Sequence, residues 1–167
     1  CGRLHSGELA LVIASKAGIY ALERAERAEI ATESVARATF ASQEAYEARL
    51  LEVLTSYDID LIVLAGFMHI LSARFVSRYP DRIVNVHPSL IPAYCGKGFY
   101  GIKVHEAVLA AGESETGATV HMVNEVPDGG RILMQQRVPV FASDPPDTLQ
   151  HRVMEQAEWV LLPRAVE

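Results

Sequence analysis

Three short apolar runs, each followed by a helix-patterned stretch, set the architecture of this chain. They are residues 9–15 (LALVIAS), 60–65 (DLIVLA) and 83–87 (IVNVH). Continuous apolar runs of this length read as strands buried on both faces of a parallel sheet. Helical patterns occupy residues 20–29, 42–57, 72–79 and 102–111. In the second of these Ser42 stands at the N-cap, and Tyr46, Leu50, Val53, Leu54 and Tyr57 repeat on one face. Strand–helix alternation implies right-handed βαβ crossovers. Residues 116–123 and 132–140 are two further strands, and only residues 124–131 join them. So short a connection forces an antiparallel pair, because a parallel crossover needs more chain. Pro139 places the last strand near a sheet edge. A final helix is expected over 148–162, capped by Asp147, with Leu149, Val153, Ala157, Val160 and Leu161 inward. The expected class is α/β, with a mixed, mostly parallel sheet flanked by helices.

At 167 residues the chain reads as one domain, 1–167, able to bury a full core. The net charge of −6 and the absence of a Lys/Arg block argue against nucleic acid as a partner, since no basic stripe is available for phosphates. Two cysteines, Cys1 and Cys95, form neither a metal-binding pair nor a disulfide framework, which fits a reducing cytoplasmic setting. No apolar run approaches the roughly 18 residues of a membrane span, so no membrane association is expected.

Chemistry concentrates in two places. Asn85-Val86-His87-Pro88-Ser89 closes the third apolar run, and Asp128-Gly129-Gly130 lies in the connection between the last two strands. Asn85 and His87 are two apart on an extended backbone and point to the same side. Pro88 keeps His87 out of the helical region. An amide can donate to a developing oxyanion, an imidazole can move a proton, and a carboxylate can orient the imidazole. Each piece also has an ordinary reading: Asn, Pro and Ser favour turns, and Asp-Gly is a hairpin signal. His121 within a strand reads as a packed histidine or a partner behind the catalytic groups, with Thr119 beside it. Residues 96–101 match G-x-G-x-x-G, but a long loop separates them from the preceding strand. These glycines are therefore expected to shape a mobile loop over the site rather than a dinucleotide fingerprint. His87, His105, His121 and Asp128 lack metal-ligand spacing, and no metal is expected. The apolar residues Phe67, Met68, Ile70 and Leu71 fit core packing or a slot for a flat ligand.

Taken together, Leu64-Ala65-Gly66-Phe67-Met68, Asn85 to Pro92 (NVHPSLIP), Thr116 to His121 (TGATVH) and Asp128-Gly129-Gly130 resemble the phosphoribosylglycinamide formyltransferases of the formyltransferase family. The methionyl-tRNA branch usually carries an R-G-A-x-P loop, absent here, and the deformylase branch usually has D-x-G. The resemblance implies a Rossmann-like formyltransferase fold with folate at the C-terminal strand ends. It implies Asn85, His87 and Asp128 as the catalytic trio. It places Met68, His69, Ile70 and Leu71 beside the folate pterin, with Asn85, Asn124, Glu125 and Asp128 also on the folate. Glu158 and Pro88 fall at the amine substrate, with His121 and Thr119 behind the trio. The family often has Arg where this chain has His69. The family also begins with a strand, a phosphate-cradling loop and a helix that have no counterpart in these residues. The domain is thus expected to be N-terminally incomplete, with the full protein containing that piece.

The implied activity is transfer of the formyl group of 10-formyltetrahydrofolate to glycinamide ribonucleotide in de novo purine (IMP) biosynthesis, by a monomer or homodimer. The alternatives are a formyltetrahydrofolate deformylase using the same trio on water, an inactive folate- or nucleotide-binding fragment, and a metal hydrolase using His87, His121 and Asp128.

Overall fold

The computed structural model describes residues 4–167, and Cys1 lies outside them. The chain divides into two compact units, one of residues 5–60 and one of residues 61–167.

In the first unit β1 (Leu11–Ala14) and β2 (Ala31–Ser34) pair in parallel through the crossover helix α1 (Tyr20–Arg27). Helix α2 (Gln43–Ser56) starts where expected, with the Ser42 hydroxyl accepting from the Ala45 N–H at 3.2 Å. Tyr46, Leu50, Val53 and Leu54 are buried, whereas Tyr57 is exposed. Strand β2 was not among the expected elements. Its sequence, ATES, is short and half polar, so neither alternation nor an apolar run marks it.

The second unit carries a four-stranded sheet ordered β3 (Ile62–Leu64), β4 (Ile83–His87), β5 (Glu115–Met122) and β6 (Ile132–Pro139). The β3–β4 pair is parallel; β4–β5 is antiparallel, and β5–β6 is antiparallel too, as the short 124–131 connection requires. Pro139 ends β6 at the sheet edge. The run expected as a second buried strand yields only three residues in β3, where Val63 stays 39% exposed. Strand β3 is terminal in the described sheet.

The helices of this unit are α3 (Ala73–Val76), capped by Ser72, α4 (Ile102–Ala110), α5 (Pro146–Val153) and α6 (Trp159–Val166). Gly112, at φ +69°, follows α4 as a left-handed stop. Asp147 does not cap the last helix: Pro145 is the N-cap, and Asp147 lies in the first turn, where its charge suits the helix dipole. The helix expected over 148–162 is present, running from Pro146 to Val166, but it is not α-helical throughout, because Met154–Glu158 widens into a π turn between α5 and α6. Its inner face nevertheless matches expectation at Leu149, Val153, Ala157 and Leu161, all buried, with Val160 half-buried.

One hydrophobic core joins these helices to the sheet. Val84 and Val86 of β4 and Ala118, Val120 and Met122 of β5 pack with Val108, Leu149, Val153 and Leu161. Each fully buried aliphatic side chain here contributes about 1.5–3 kcal/mol. Strand alternation then turns the odd-numbered residues Asn85, His87, Thr119 and His121 to the other face of the sheet. The register pairs Asn85 with His121 and His87 with Thr119 across β4 and β5. No helix among the described residues is long and apolar enough to cross a membrane.

Candidate active site

The cross-strand pairs place two histidines, an asparagine and a threonine side by side, and the β5–β6 connection brings Asp128 to them. The Asp128 carboxylate lies 3.6 Å from His87 Nδ1 through one oxygen and 3.6 Å from His121 Nε2 through the other. The Asn85 amide nitrogen stands 3.2 Å from His121 Nε2. Two histidines far apart in sequence therefore meet one carboxylate, and Asn85 joins the cluster through its contact with His121.

Asp128 is held in a strained backbone conformation. Its φ is +55°, a conformation that Asp tolerates better than most residues. The two glycines that follow are sterically required. A Cβ on Gly130 would stand 1.7 Å from the Met122 carbonyl oxygen, and one on Gly129 would stand 2.7 Å from a Val126 side-chain carbon. Asn124 ties the connection together, its oxygen accepting from the Val126 N–H at 2.9 Å and its amide donating to the Gly129 carbonyl at 3.3 Å. On the facing strand a bulge at Val120/His121 shifts the β5–β6 register. Bulges of this kind re-aim side chains beside functional sites.

Burial by itself would raise the Asp128 pKa. The His121 ring when it is protonated, the Gly96 N–H and the nearby His87 outweigh that penalty, and the net direction is downward. The carboxylate is thus an anion at neutral pH. Gly96 donates to it at 2.8 Å, and the Tyr94 carbonyl accepts from His87 Nε2 at 2.8 Å. Residues 94–101 are therefore tied to both His87 and Asp128 through backbone groups. The pattern of glycines suggested a loop over the site but carried no sign of these two contacts, because a backbone donor has no residue signature. Gly96, Gly98 and Gly101 all have positive φ. Between the two contacts lies Cys95, whose thiol donates to the Pro92 carbonyl and is pushed up by burial and by Asp128.

Thr119 works behind His87. Its hydroxyl donates to the Ser89 carbonyl at 2.6 Å and accepts from the Ile91 N–H at 3.1 Å and the Gln135 amide at 2.9 Å. The turn that follows His87, including half-buried Pro88, is pinned this way. His105, in α4, is fully buried, and neither ring nitrogen has a hydrogen-bond partner among the described residues. Burial, helped by His87, lowers its pKa to about 4, so it is neutral at working pH.

The apolar stretch 68–71 is mostly outside the core. Met68 is 60% and Ile70 58% exposed, His69 is exposed with its ring edge-on to Phe67 at 5.7 Å, and only Leu71 is buried. A Cβ on Gly101 would meet the Met68 terminal carbon at 3.2 Å, so the glycine loop passes against this stretch. Asn124, Glu125 and Val126 are exposed as well. Glu158 occupies the end of the π turn, half-buried, and burial pushes its carboxyl up to about 7. Among the described residues no group of three or more His, Cys, Asp or Glu side chains is placed to hold a metal ion.

Residues 2–166 match the family model described as formyl transferase. A curated relative, phosphoribosylglycinamide formyltransferase of Escherichia coli (strain K12), is 43% identical over 90% of this chain and 68% of its own length. The trifunctional purine biosynthetic protein adenosine-3 of Drosophila melanogaster is 42% identical over 95% of this chain, which spans only 11% of that protein. Among solved structures, phosphoribosylglycinamide formyltransferase from Bacillus halodurans superposes with a TM-score of 0.87 at 34% identity, covering 96% of this chain and 80% of the other. With a family model matching nearly its whole length, this chain belongs to the formyl transferase family.

Proposed function

We propose that this chain transfers the formyl group of 10-formyltetrahydrofolate to the glycyl amine of glycinamide ribonucleotide, a step of purine biosynthesis. The observation that carries the reading is the convergence of Asn85, His87 and Asp128, with His87 Nδ1 3.6 Å from the carboxylate, in a chain of the formyl transferase family.

The chemistry follows from what each group can do. The amine nitrogen attacks the formyl carbon, and the carbonyl electron pair moves onto oxygen. The Asn85 amide and a protonated His87 stabilise that oxyanion. Ionised Asp128 balances the charge on the ring. Collapse of the intermediate breaks the bond to the folate nitrogen, which takes the electron pair and a proton. The amine loses one proton, so the net movement is from amine to folate nitrogen, relayed by His87 and Asp128. His87 Nε2 donates to the Tyr94 carbonyl in this arrangement, and that partner must exchange for the substrate oxygen.

Met68, His69, Ile70 and Leu71 on one side and Asn124 and Glu125 on the other form the folate surface, with the exposed side chains of Met68 and Ile70 taking the flat ring. Glu158 and Pro88 face the amine substrate. A carboxyl with a pKa near 7 can bind an ammonium as an anion or accept its proton. The reaction uses small molecules and no metal, in the cytoplasm, and involves neither nucleic acid nor a membrane; the enzyme acts as a monomer or homodimer.

The test is a spectroscopic assay of formyl loss with the full-length protein, with and without glycinamide ribonucleotide. Formyl loss should depend on the amine. Asp128→Asn should lower kcat by about 10²–10⁴-fold, the range for a positioned acid–base group, while folate Kd changes little. Amine-independent formyl release would make the protein a hydrolase, and near-normal turnover in Asp128→Asn would reject the assigned role.

A further inference from the structure

The strand register puts His121 directly opposite Asn85, and the surroundings of its ring decide how that amide can face the substrate. His121 Nδ1 lies 2.9 Å from the Met122 carbonyl oxygen. A carbonyl only accepts, so Nδ1 carries the proton. In the neutral ring Nε2 is then a bare acceptor. Its nearest polar neighbour is the Asn85 amide nitrogen at 3.2 Å, with Asp128 Oδ1 further away at 3.6 Å. An amide presents either its NH2 group or its oxygen at a given position, and a bare imidazole nitrogen can be satisfied only by the NH2 group.

We infer that His121 is a positioning residue that fixes the orientation of the Asn85 amide through its tautomer, so that a donor rather than an oxygen faces the oxyanion. The fixing element extends to the Asp128-Gly129-Gly130 segment. The Met122 carbonyl that sets the tautomer is the same atom that a Cβ on Gly130 would strike at 1.7 Å, and the Met122 N–H donates to the Arg131 carbonyl at 2.9 Å. The second glycine thus lets the hairpin close on Met122, Met122 sets the His121 proton, and His121 sets the amide. A doubly protonated ring would do the opposite. It would donate from Nε2 toward Asp128 and turn the Asn85 oxygen inward, setting an acceptor against a developing negative charge.

The inference rests on the formyl-transfer reading for its kinetic readout, and a ring measurement tests it separately. Gln places a side-chain oxygen near the position of His Nε2, whereas Asn reaches only the position of Nδ1. In the full-length protein His121→Asn should lower kcat about 10- to 100-fold, less than the loss of a direct oxyanion donor, with folate Kd unchanged. His121→Gln should recover kcat to within about threefold, because an acceptor for the amide returns. Asn85→Ala combined with His121→Asn should be no slower than Asn85→Ala alone, since both remove one function. Nitrogen-15 spectra of the unmodified protein should show the His121 ring protonated at Nδ1 and bare at Nε2. The inference is overturned by a ring protonated at Nε2, by His121→Asn within twofold of the parent, by equal losses in the Asn and Gln variants at parental Tm, or by effects that multiply with Asn85→Ala. If the unmodified protein transfers no formyl group, the functional reading fails while the ring spectrum still decides the tautomer.

Discussion

Thr119 shows how much a single hydroxyl can organise when it is buried. It serves the Ser89 carbonyl, the Ile91 N–H and the Gln135 amide at once, and it is fully buried. Valine has nearly the same shape, so Thr119→Val isolates the polar contribution from packing. Each of the three partners then loses its bond inside the protein, where an unmet polar group costs about 1–3 kcal/mol. Urea denaturation should show Thr119→Val less stable by about 2–3 kcal/mol, given partial compensation by solvent at the Gln135 end. Thr119→Ser, which restores the hydroxyl and loses only a methyl, should recover more than half of that. Equal losses for Val and Ser would mean that the methyl, not the hydroxyl, holds the turn behind His87.

At the scale of elements, the β5–β6 hairpin depends on where glycine is obligatory. A Cβ on Gly130 meets backbone, the Met122 carbonyl oxygen at 1.7 Å, whereas a Cβ on Gly129 stands further off, 2.7 Å and 2.8 Å from the Val126 side-chain carbons, its Cβ among them. Gly130→Ala should therefore lower Tm by about 5–10 °C, the effect of 2–3 kcal/mol in a chain of this size, and Gly129→Ala clearly less. If thermal melts place the two variants together, the close approach to Met122 does not govern hairpin closure. The same contrast explains what the sequence revealed. Strands β5 and β6 were legible because their patterns and the short 124–131 connection leave one pairing, and Asn85, His87 and Asp128 stood out because an amide, an imidazole and a carboxylate are side chains that can do chemistry. Strand β2 was not, since ATES has no period to read. Nor was the π turn at Met154–Glu158, because one extra residue in a helical turn leaves the apolar spacing of Leu149, Val153, Ala157 and Leu161 nearly intact. The hold of Tyr94 and Gly96 on His87 and Asp128 was hidden for a different reason. It is made by backbone groups that every residue possesses.

Over the whole molecule, two titratable groups, buried His105 and half-buried Glu158, act on stability with opposite sign. His105 has a pKa near 4 in the folded state against an ordinary 6.5. Below pH 6.5 the unfolded chain takes up a proton that the folded chain refuses, so this group's contribution to stability is lost as pH falls from 6.5 to 4. Glu158 has a pKa near 7 against an ordinary 4.5. Between those values the folded chain holds a proton that the unfolded chain has released, so its contribution is lost as pH rises from 4.5 to 7. Each swing is worth about 3 kcal/mol. Where the windows overlap the slopes cancel, and the parent's stability should be nearly flat between pH 4.5 and 6.5. Asp144, held down to about 2 by Arg152, and Asp128 add losses only at more acidic pH. His105→Leu removes an ionisable group with no hydrogen-bond partner among the described residues. It should leave the Glu158 slope alone, with stability falling by about 2–3 kcal/mol from pH 4.5 to 7. Glu158→Gln should leave the His105 slope, with stability rising by a similar amount from pH 4 to 6.5. Urea titrations of the three proteins across this range decide the matter. Three parallel profiles would mean that neither group is as deeply held from solvent in the folded protein as its surroundings indicate, and opposite slopes in the two variants would locate the cancellation in this pair.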